Sequence, residues 1–216
     1  APVIGFPGLL KTRRLGYDGK GQVKIASQAE LESAWAIMQD QAAIYEGFVN
    51  FRCEVSVLVA RGVDGTTACY DITENIHRNQ MLDTSRVPAR IAPDLASRVQ
   101  DVAQTLATEL DYVGLLGVEF FVGEGVFFVN EIAPRVHNSG HWTQNACVVS
   151  QFEQHIRAIA GWTLGDPRRH SNCVMTNLIG NALKFTARGH VTLRARLVGC
   201  DHDTARFRFE IEDTGI

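Results

Sequence analysis

The sequence predicts an α+β fold in which antiparallel sheets are flanked by helices. Strand-like runs of β-branched and aromatic residues outnumber helical segments and follow one another through short turns, which is typical of antiparallel hairpins. Helical segments lie between groups of strands rather than after each strand, so a doubly wound parallel sheet is not expected. With 216 residues, 45% hydrophobic and 21% charged, the chain can form one large domain or two small ones.

The elements follow in chain order. A first hairpin has a Gly-rich tip, and the helix after it is predicted because apolar residues recur at helical spacing. A meander of strands leads to a long helix that Asp94 would cap. An acidic hairpin over 117–135, a polar loop and a helix ended by Gly161 come next. The other predicted strands are 6–12, 22–25, 43–49, 53–61, 66–77 and 174–180, and the predicted helices are 29–38, 94–110 and 150–160.

Composition argues against several classes of protein. The formal net charge of -3 provides no basic field for a nucleic-acid backbone. No apolar run approaches the length that spans a bilayer, and the first residues lack the pattern of a signal peptide, so we expect a cytoplasmic location. The five cysteines lack the spacing of a zinc site and are expected to be reduced thiols.

Two glutamates of the acidic hairpin are the strongest functional signal. Glu119 and Glu131 lie within apolar strand-like runs, where an ionised carboxylate is unfavourable unless it is paired or binds a metal. Alternation along a strand places Glu119 on the side opposite Val118 and Phe120. Two converging carboxylates form an oxygen-ligand site suited to Mg²⁺. The alternative is an amphipathic hairpin with one glutamate on a solvated face.

Other residues suit a nucleotide. Lys11 precedes a cationic, Gly-rich turn whose backbone N–H groups could bind phosphate, although its spacing is neither of the common phosphate-binding patterns and a mobile surface hairpin is the alternative. The segment that begins at Glu46 and ends a strand could present backbone groups to adenine, and Glu54 could accept a hydrogen bond from a ribose hydroxyl. Either glutamate could instead be solvated, and His77 could be a nucleotide contact or a structural histidine.

These features occur in the order found in the ATP-grasp fold, and residues 4–180 resemble the carboxyaminoimidazole ribonucleotide synthetase family of purine biosynthesis. The stretches that carry the resemblance are Lys11-Thr-Arg-Arg, Gly16-Tyr-Asp-Gly-Lys-Gly-Gln22, Glu54-Val-Ser-Val, Ala60-Arg-Gly62, Asn75-Ile-His77 and Asn130-Glu-Ile-Ala-Pro-Arg-Val-His-Asn-Ser-Gly-His-Trp-Thr-Gln-Asn145.

The resemblance implies ATP and Mg²⁺ as cofactors and a role for each matching residue. Lys11 would act in catalysis and close over the ATP phosphates with the flap residues Gly16, Tyr17, Asp18, Gly19, Lys20, Gly21 and Gln22. Adenine would be held by Glu46, Gly47, Phe48 and Val49, the ribose by Glu54, and a further part of the nucleotide by His77. Mg²⁺ would be ligated by Glu119 and Glu131 with support from Asn130.

The substrate side is implied by the same resemblance. Bicarbonate and the phosphate of aminoimidazole ribonucleotide would face the catalytic Arg135 and the loop residues His137, Asn138, Ser139, Gly140 and His141. In that family ATP phosphorylates bicarbonate, and the resulting carboxyphosphate carboxylates the substrate amine. The expected partners are these small molecules, with neither nucleic acid nor membrane, and a homodimer is left open.

The resemblance does not extend to the end of the chain. The family has a domain before the position of Ala1 and a small one after Gly180, so we expect an ATP-grasp domain over 1–178 that is incomplete at both ends. Residues 177–216 instead resemble the ATP-binding domain of sensor histidine kinases. That resemblance implies that Asn181 binds Mg²⁺, Lys184 a phosphate and Asp213 the adenine amino group.

A fusion of two coding sequences near 177–180 would explain both resemblances. The fragment 179–216 is expected to contain a short helix over 181–186 and an antiparallel pair of strands over 189–198 and 205–213. It is too small to form a core of its own. Two alternatives for the whole chain are a fragment of a sensor kinase and an inactive chimera that retains at most nucleotide binding.

Overall fold

The computed structural model describes residues 4–14, 21–39, 41–78, 80–178, 182, 186, 188–200 and 205–214. Within these residues the strands form a three-stranded sheet, a seven-stranded sheet and a two-stranded pair. Neighbouring strands pair in antiparallel fashion throughout. The predicted α+β class with antiparallel sheets is therefore confirmed.

The strands are β1 (Gly8–Thr12), β2 (Gln22–Ile25), β3 (Ala43–Gly47), β4 (Cys53–Arg61), β5 (Thr67–Cys69), β6 (Thr73–Arg78), β7 (Met81–Val87), β8 (Gly114–Val122), β9 (Phe127–Ala133), β10 (Cys173–Thr176), β11 (Val191–Cys200) and β12 (Ala205–Asp213). The helices are α1 (Leu31–Ile37), α2 (Pro93–Glu109), α3 (Thr143–Ala146) and α4 (Gln151–Ile159), with short 3₁₀ turns at Gln28–Glu30 and Asn138–Gly140.

The small sheet has the order β2-β1-β3 and packs against α1. Its core consists of Leu10 and Ile25 from the strands with Ala34 and Met38 from the helical segment. The strand β3 lies at an edge, so one row of its backbone groups has no strand partner within the described residues.

The large sheet has the order β10-β7-β6-β4-β8-β9, with β5 paired to β4. One of its faces packs against α2, whose buried residues recur once per turn because the helix is amphipathic. Alternation along β4 directs Val55, Val57 and Val59 into this core. The same alternation directs Glu54 and Ser56 to the opposite face, where the functional residues collect.

The second face of the large sheet changes character along its strands. Near α4 it is apolar, because Leu58, Leu115 and Trp142 pack there with their neighbours. Farther along β4 and β8 the same face carries Ser56 and Glu119, which are opposite each other in the strand register. The helical segment 138–159 covers the apolar part, so the polar part lies beside its edge.

Several predicted boundaries are corrected by the structure. The single strand predicted over 66–77 is two strands, β5 and β6, and the strand β7 was not predicted. Asp94 does not cap α2, because Ala92 occupies the cap position and Pro93 begins the helix. The predicted end of α4 is confirmed, since Gly161 has a φ of +69° that favours glycine.

The end of the chain forms the predicted antiparallel pair, β11 with β12. The helix predicted over 181–186 lies outside the described residues, apart from Ala182 and Thr186. Asn181 and Lys184 also lie outside them, and the division at 178 stays a prediction. The four cysteines whose side chains are described are free thiols, as predicted. Among the described residues, no helix combines the length and the apolar character needed to cross a bilayer.

Candidate functional site

The two glutamates of the acidic hairpin converge. Antiparallel pairing of β8 with β9 places Glu119 directly opposite Glu131. Together with His137 they form a group of potential ligand atoms that all lie within 4.8 Å of one another. No other group of this kind is present among the described residues. The hairpin therefore brings two carboxylates into one site, as the sequence predicted.

A β-bulge next to this pair directs a third polar side chain toward the site. Glu119 is paired with Glu131, but the next residue, Phe120, is paired with Val129, so Asn130 is an extra residue in β9. A bulge re-aims a side chain that regular alternation would direct elsewhere. Asn130 lies close enough to the Glu119 carboxyl group to lower its pKa as a hydrogen-bonding neighbour. Asn130 is thus a neighbour of the carboxylate pair, as predicted.

The carboxylate pair brings two acidic groups into close proximity. Burial, and then the charge of Glu131, raise the pKa of Glu119 to about 7, although His77 and the hydrogen bond from Asn130 lower it. Glu131 is more open, with 57% of its side chain exposed. The alternative, in which one glutamate lies on a solvated face, fits the exposure of the Glu131 side chain. It does not fit the position of Glu131, which lies directly opposite Glu119. Two carboxylate oxygens and a neighbouring amide are the donors that Mg²⁺ prefers, so these residues fit that ion.

His137 lies above the pair as a neutral ring. Burial, and then the positive charges of Arg135, His141 and His77, lower the pKa of His137 to about 4. Its Nε2 lies 3.7 Å from Oε1 of Glu119 and 4.0 Å from Oε1 of Glu131. Because the ring is uncharged at neutral pH, these approaches are not ion pairs.

Two residues that were not predicted hold His137 in place. The Gln151 side chain accepts a hydrogen bond from the His137 N–H at 2.9 Å and donates one to the His137 carbonyl at 2.8 Å. Gly117 lies beneath the ring, since a Cβ atom there would be 2.9 Å from the Cβ of His137. Gln151 shares the buried face of α4 with Gln154 and Ala158, whereas Ile156 and Ile159 of the same helix are exposed, so helical periodicity gave no signal for it.

Glu54 and His77 form a second acid and imidazole pair beside the carboxylates. Nδ1 of His77 lies 3.2 Å from Oε2 of Glu54. Burial lowers the pKa of His77, but the contact with Glu54 and the charges of Glu54, Glu119 and Glu131 outweigh it, so the net shift is upward. His77 is thus suited to carry a positive charge in a site that contains three carboxylates.

The small sheet contributes residues from the predicted phosphate and adenine groups. Nζ of Lys11 lies 2.7 Å from Oε2 of Glu46, which joins β1 to β3. The flap residues Gly16, Tyr17, Asp18, Gly19 and Lys20 lie outside the described residues, whereas Gly21 and Gln22 are described, with Gln22 in β2. The Gln22 amide donates to Oε1 of Gln80 on the large sheet at 2.7 Å.

The predicted adenine segment ends an edge strand, as expected. Glu46 and Gly47 are the last residues of β3, and Phe48 and Val49 follow it. The Phe48 N–H donates to the Pro7 carbonyl at 3.2 Å, so this donor is already used. None of these four residues lines the apolar cavity of about 410 Å³ between β1, β3 and α1.

The predicted substrate loop divides into exposed and buried residues. Arg135 is exposed, and its guanidinium donates to the Val136 carbonyl at 2.9 Å. His141 is also exposed and stacks on Phe152 with ring centroids 5.7 Å apart. Asn138 is half-buried.

Ser139 and Gly140 are packed into the fold, and the role toward substrate that the resemblance implies for them stays a prediction. Ser139 is fully buried, and a Cβ atom on Gly140 would lie 2.2 Å from Cδ1 of Leu58. The chain turns inward at these two residues because the backbone of Gly140 is packed against the sheet. Both residues support the loop from behind, whereas Asn138 and His141 are more accessible to a substrate.

Comparison with known proteins identifies the family. The sequence pattern of the ATP-grasp domain matches residues 1–152. The chain belongs to the ATP-grasp family. The predicted ATP-grasp fold, with antiparallel sheets and few helices, is thereby confirmed.

Individual relatives are more specific. This ATP-grasp chain is similar to N5-carboxyaminoimidazole ribonucleotide synthase of Brucella melitensis, with 54% identity over 184 residues, which are 84% of this chain and 51% of that protein. It is also similar to the enzyme of the same name from Bacillus subtilis, with 46% identity over 183 residues, which are 84% of this chain and 48% of that protein. The chain thus spans about half the length of these curated relatives.

A solved structure agrees with the sequence relatives. The crystal structure of an ADP complex of an N5-carboxyaminoimidazole ribonucleotide synthetase superimposes with a TM-score of 0.79 at 40% identity, covering 99% of this chain and 59% of that chain. The resemblance found in residues 4–180 is therefore confirmed. None of these relatives is a histidine kinase, so the comparisons lend no support to the second resemblance, in residues 177–216.

Proposed function

We propose that this ATP-grasp chain is the nucleotide- and metal-binding part of an enzyme that uses ATP to carboxylate aminoimidazole ribonucleotide with bicarbonate. The observation that carries the proposal is the convergence of Glu119 and Glu131 across β8 and β9. Four residues of the predicted motifs lie close to this pair, namely Glu54, His77, Asn130 and His137. The names of the relatives give the product, carboxyaminoimidazole ribonucleotide, and the residues around the pair suit a reaction that uses ATP and bicarbonate to form it.

The acidic group would hold the metal. Glu119 and Glu131 would ligate Mg²⁺, and Asn130 would orient Glu119 through their hydrogen bond. When bound, the ion would neutralise charge on the ATP phosphates. Without a cation, the raised pKa of Glu119 reflects its burial and then its proximity to the second acid, Glu131. Cation binding would remove that cost, so the site is built to favour an occupied state.

The remaining residues would bind and orient the reactants. Lys11, now paired with Glu46, would exchange that partner for a phosphate oxygen, because both are anions. Glu54 would accept a hydrogen bond from a ribose hydroxyl in place of its contact with His77. His77 would then be available to contact the nucleotide. Arg135 would attract bicarbonate, since its exposed guanidinium can bind a carboxylate-like anion with two N–H groups.

The flap and the bound reactants would exclude water. Residues 16–22 would close over the phosphates, which protects an intermediate that water destroys. His137 and its neighbours Asn138 and His141 would face bicarbonate and the phosphate of aminoimidazole ribonucleotide. The cytoplasmic location and the homodimer stay predictions.

Isothermal titration of Mg²⁺ and ATP into the purified chain tests the proposal. We expect saturable binding of ATP that requires Mg²⁺ and is lost when Glu119→Gln and Glu131→Gln are combined. Glu124→Gln is the matched control, because Glu124 is an exposed acid in the turn of the same hairpin. Retained affinity in the double variant would contradict the metal assignment. Absence of ATP binding by the unaltered chain would favour the inactive chimera.

A second experiment tests the reaction. The double substitution can be introduced into the full-length relative from Brucella melitensis, at the positions that align with Glu119 and Glu131. We expect carboxylation of aminoimidazole ribonucleotide to be lost there, with bicarbonate-dependent release of phosphate as the readout. Undiminished turnover would refute the role given to the pair.

A further inference from the structure

A line of buried polar side chains runs behind His137 and across the large sheet. Nδ1 of His137 lies 2.8 Å from Oγ of Ser139, and the Ser56 hydroxyl lies 2.7 Å from the same oxygen. Nδ2 of Asn75 lies 3.0 Å from Oγ of Ser56, and Oγ of Ser85 lies 3.1 Å from Oδ1 of Asn75. All five side chains are buried. A continuous hydrogen-bonded path therefore connects β7 with the imidazole ring.

Strand register explains why these residues meet. Ser56, Asn75 and Ser85 lie on three neighbouring strands, β4, β6 and β7, and Asn75 is directly opposite Ser85. Their side chains share the face that carries Glu119, since Ser56 is opposite Glu119. Each is a polar residue in an apolar setting, where an unpaired donor or acceptor would be costly.

The direction of each hydrogen bond follows from the number of protons available. The Asn75 amide nitrogen can only donate, so Ser56 accepts from it and directs its own proton to Ser139. Ser139 then accepts from Ser56 and has one proton left, and its remaining neighbour in the line is Nδ1 of His137. A proton on Nδ1 would leave the buried Ser139 hydroxyl without an acceptor in this line.

We propose that Asn75 acts through Ser56 and Ser139 to keep Nδ1 of His137 unprotonated and to place the single ring proton on Nε2. The ring then presents an N–H donor, and not a lone pair, to the space between Glu119 and Glu131. His137 is therefore a hydrogen-bond donor to oxygen rather than a third metal ligand. Asn75, Ser56 and Ser139 are positioning residues.

The protonation state assigned to His137 does not depend on the proposed function. Its consequence for the bound reactants does. A neutral N–H donor beside two metal-binding carboxylates would orient an anionic oxygen of the bound reactants, such as that of bicarbonate. The metal would retain carboxylate and water ligands alone, which suits Mg²⁺ better than a site with nitrogen. The state of the ring itself can be measured without any ligand.

Nitrogen NMR of the full chain at neutral pH tests the ring state. Long-range correlations between ring protons and ¹⁵N distinguish a protonated nitrogen from a bare one, and the His137 signals are those missing from His137→Gln. We expect Nε2 to carry the proton and Nδ1 to be bare. A proton on Nδ1, or on both nitrogens, would overturn the inference.

The substitution Asn75→Asp tests the control by Asn75. A carboxylate has the same shape but no N–H group, so Ser56 would donate to it, Ser139 would donate to Ser56, and Nδ1 of His137 would donate to Ser139. We expect the ring proton to move from Nε2 to Nδ1. Thr73→Val is the matched control, because Thr73 is buried on the same strand but bonds to Trp142, and it should leave the ring unchanged.

A second variant and the addition of Mg²⁺ keep the test decisive. If Asn75→Asp does not fold, Ser139→Ala removes the last link, and we expect both ring tautomers in place of one. An unchanged ring in a folded Asn75→Asp or Ser139→Ala protein would refute the inference. Addition of Mg²⁺ should leave the Nε2 proton in place, and its loss would show that His137 is a metal ligand. Failure of Mg²⁺ to bind at all would contradict only the proposed function.

Discussion

Replacing Glu119 by glutamine should make the metal-free protein more stable while it abolishes Mg²⁺-dependent ATP binding. The pKa of Glu119 is raised from its ordinary value of 4.5 to about 7, first by burial and then by Glu131. A pKa difference of one corresponds to about 1.4 kcal/mol, so ionised Glu119 lowers the free energy of unfolding by up to about 3 kcal/mol. Glutamine preserves the shape and removes the charge.

The sign of the pH dependence follows from the direction of the shift. Between pH 4.5 and about 7 the folded protein holds a proton on Glu119 that the unfolded chain has released. The contribution of this group to stability is therefore complete below about pH 4.5 and is lost as the pH rises to about 7. We expect the Glu119→Gln protein to lack this part of the pH dependence.

Thermal unfolding at several pH values, without metal, measures the effect. For a chain of this size the melting temperature should rise by up to about 10 °C in Glu119→Gln at pH 8, and little at pH 4.5. Glu124→Gln, on the same hairpin but exposed, is the control and should change neither value. Addition of Mg²⁺ with ATP should stabilise the unaltered protein and not the variant. A variant that is less stable than the unaltered chain at pH 8 would refute the reasoning.

Substitutions at three further positions test how the site is supported. Gly117→Ala would place a Cβ atom 2.9 Å from the Cβ of His137. We therefore expect displaced His137 ring signals in NMR spectra and weaker Mg²⁺-dependent ATP binding by calorimetry. Unchanged His137 signals would contradict the close packing. Gln151→Leu leaves the His137 N–H unpaired and removes one of the two donors to the His137 carbonyl, so it should lower the free energy of unfolding in urea by about 2 kcal/mol. Gln151→Glu keeps an acceptor for the N–H and should lower it less at acidic pH, where its carboxyl group is protonated. Tyr70→Phe removes a buried hydrogen bond of 2.9 Å to the Val149 carbonyl and should lower the free energy of unfolding in urea by about 1 kcal/mol. It should not affect ATP binding. A loss of ATP binding would show that the core around Tyr70 and the nucleotide site are coupled.

Local patterns predicted the elements that carry strong periodicity or strong turn residues. The acidic hairpin was predicted because a Gly-rich turn joins two strand-like runs, and the structure places Glu119 opposite Glu131 in it. The strand β7 was not predicted because its polar residues, among them Ser85, lack a clear alternation. Ser85 is buried all the same, since it pairs with Asn75 on the neighbouring strand. A polar side chain in a strand core is thus not visible from sequence without its partner.

By itself, the sequence determined the class of fold, the ATP-grasp family and the two acids that converge in the acidic hairpin, because these depend on residue type, spacing and order along the chain. Only the tertiary structure decided that Asn130 turns toward Glu119 through a bulge, that Ser139 and Gly140 face inward, and that Gln151 holds His137. These arrangements join residues that are distant in sequence, and hydrogen-bond direction and burial depend on three-dimensional neighbours. The ring state of His137 is the clearest case, since it follows from protons counted across three strands and a loop.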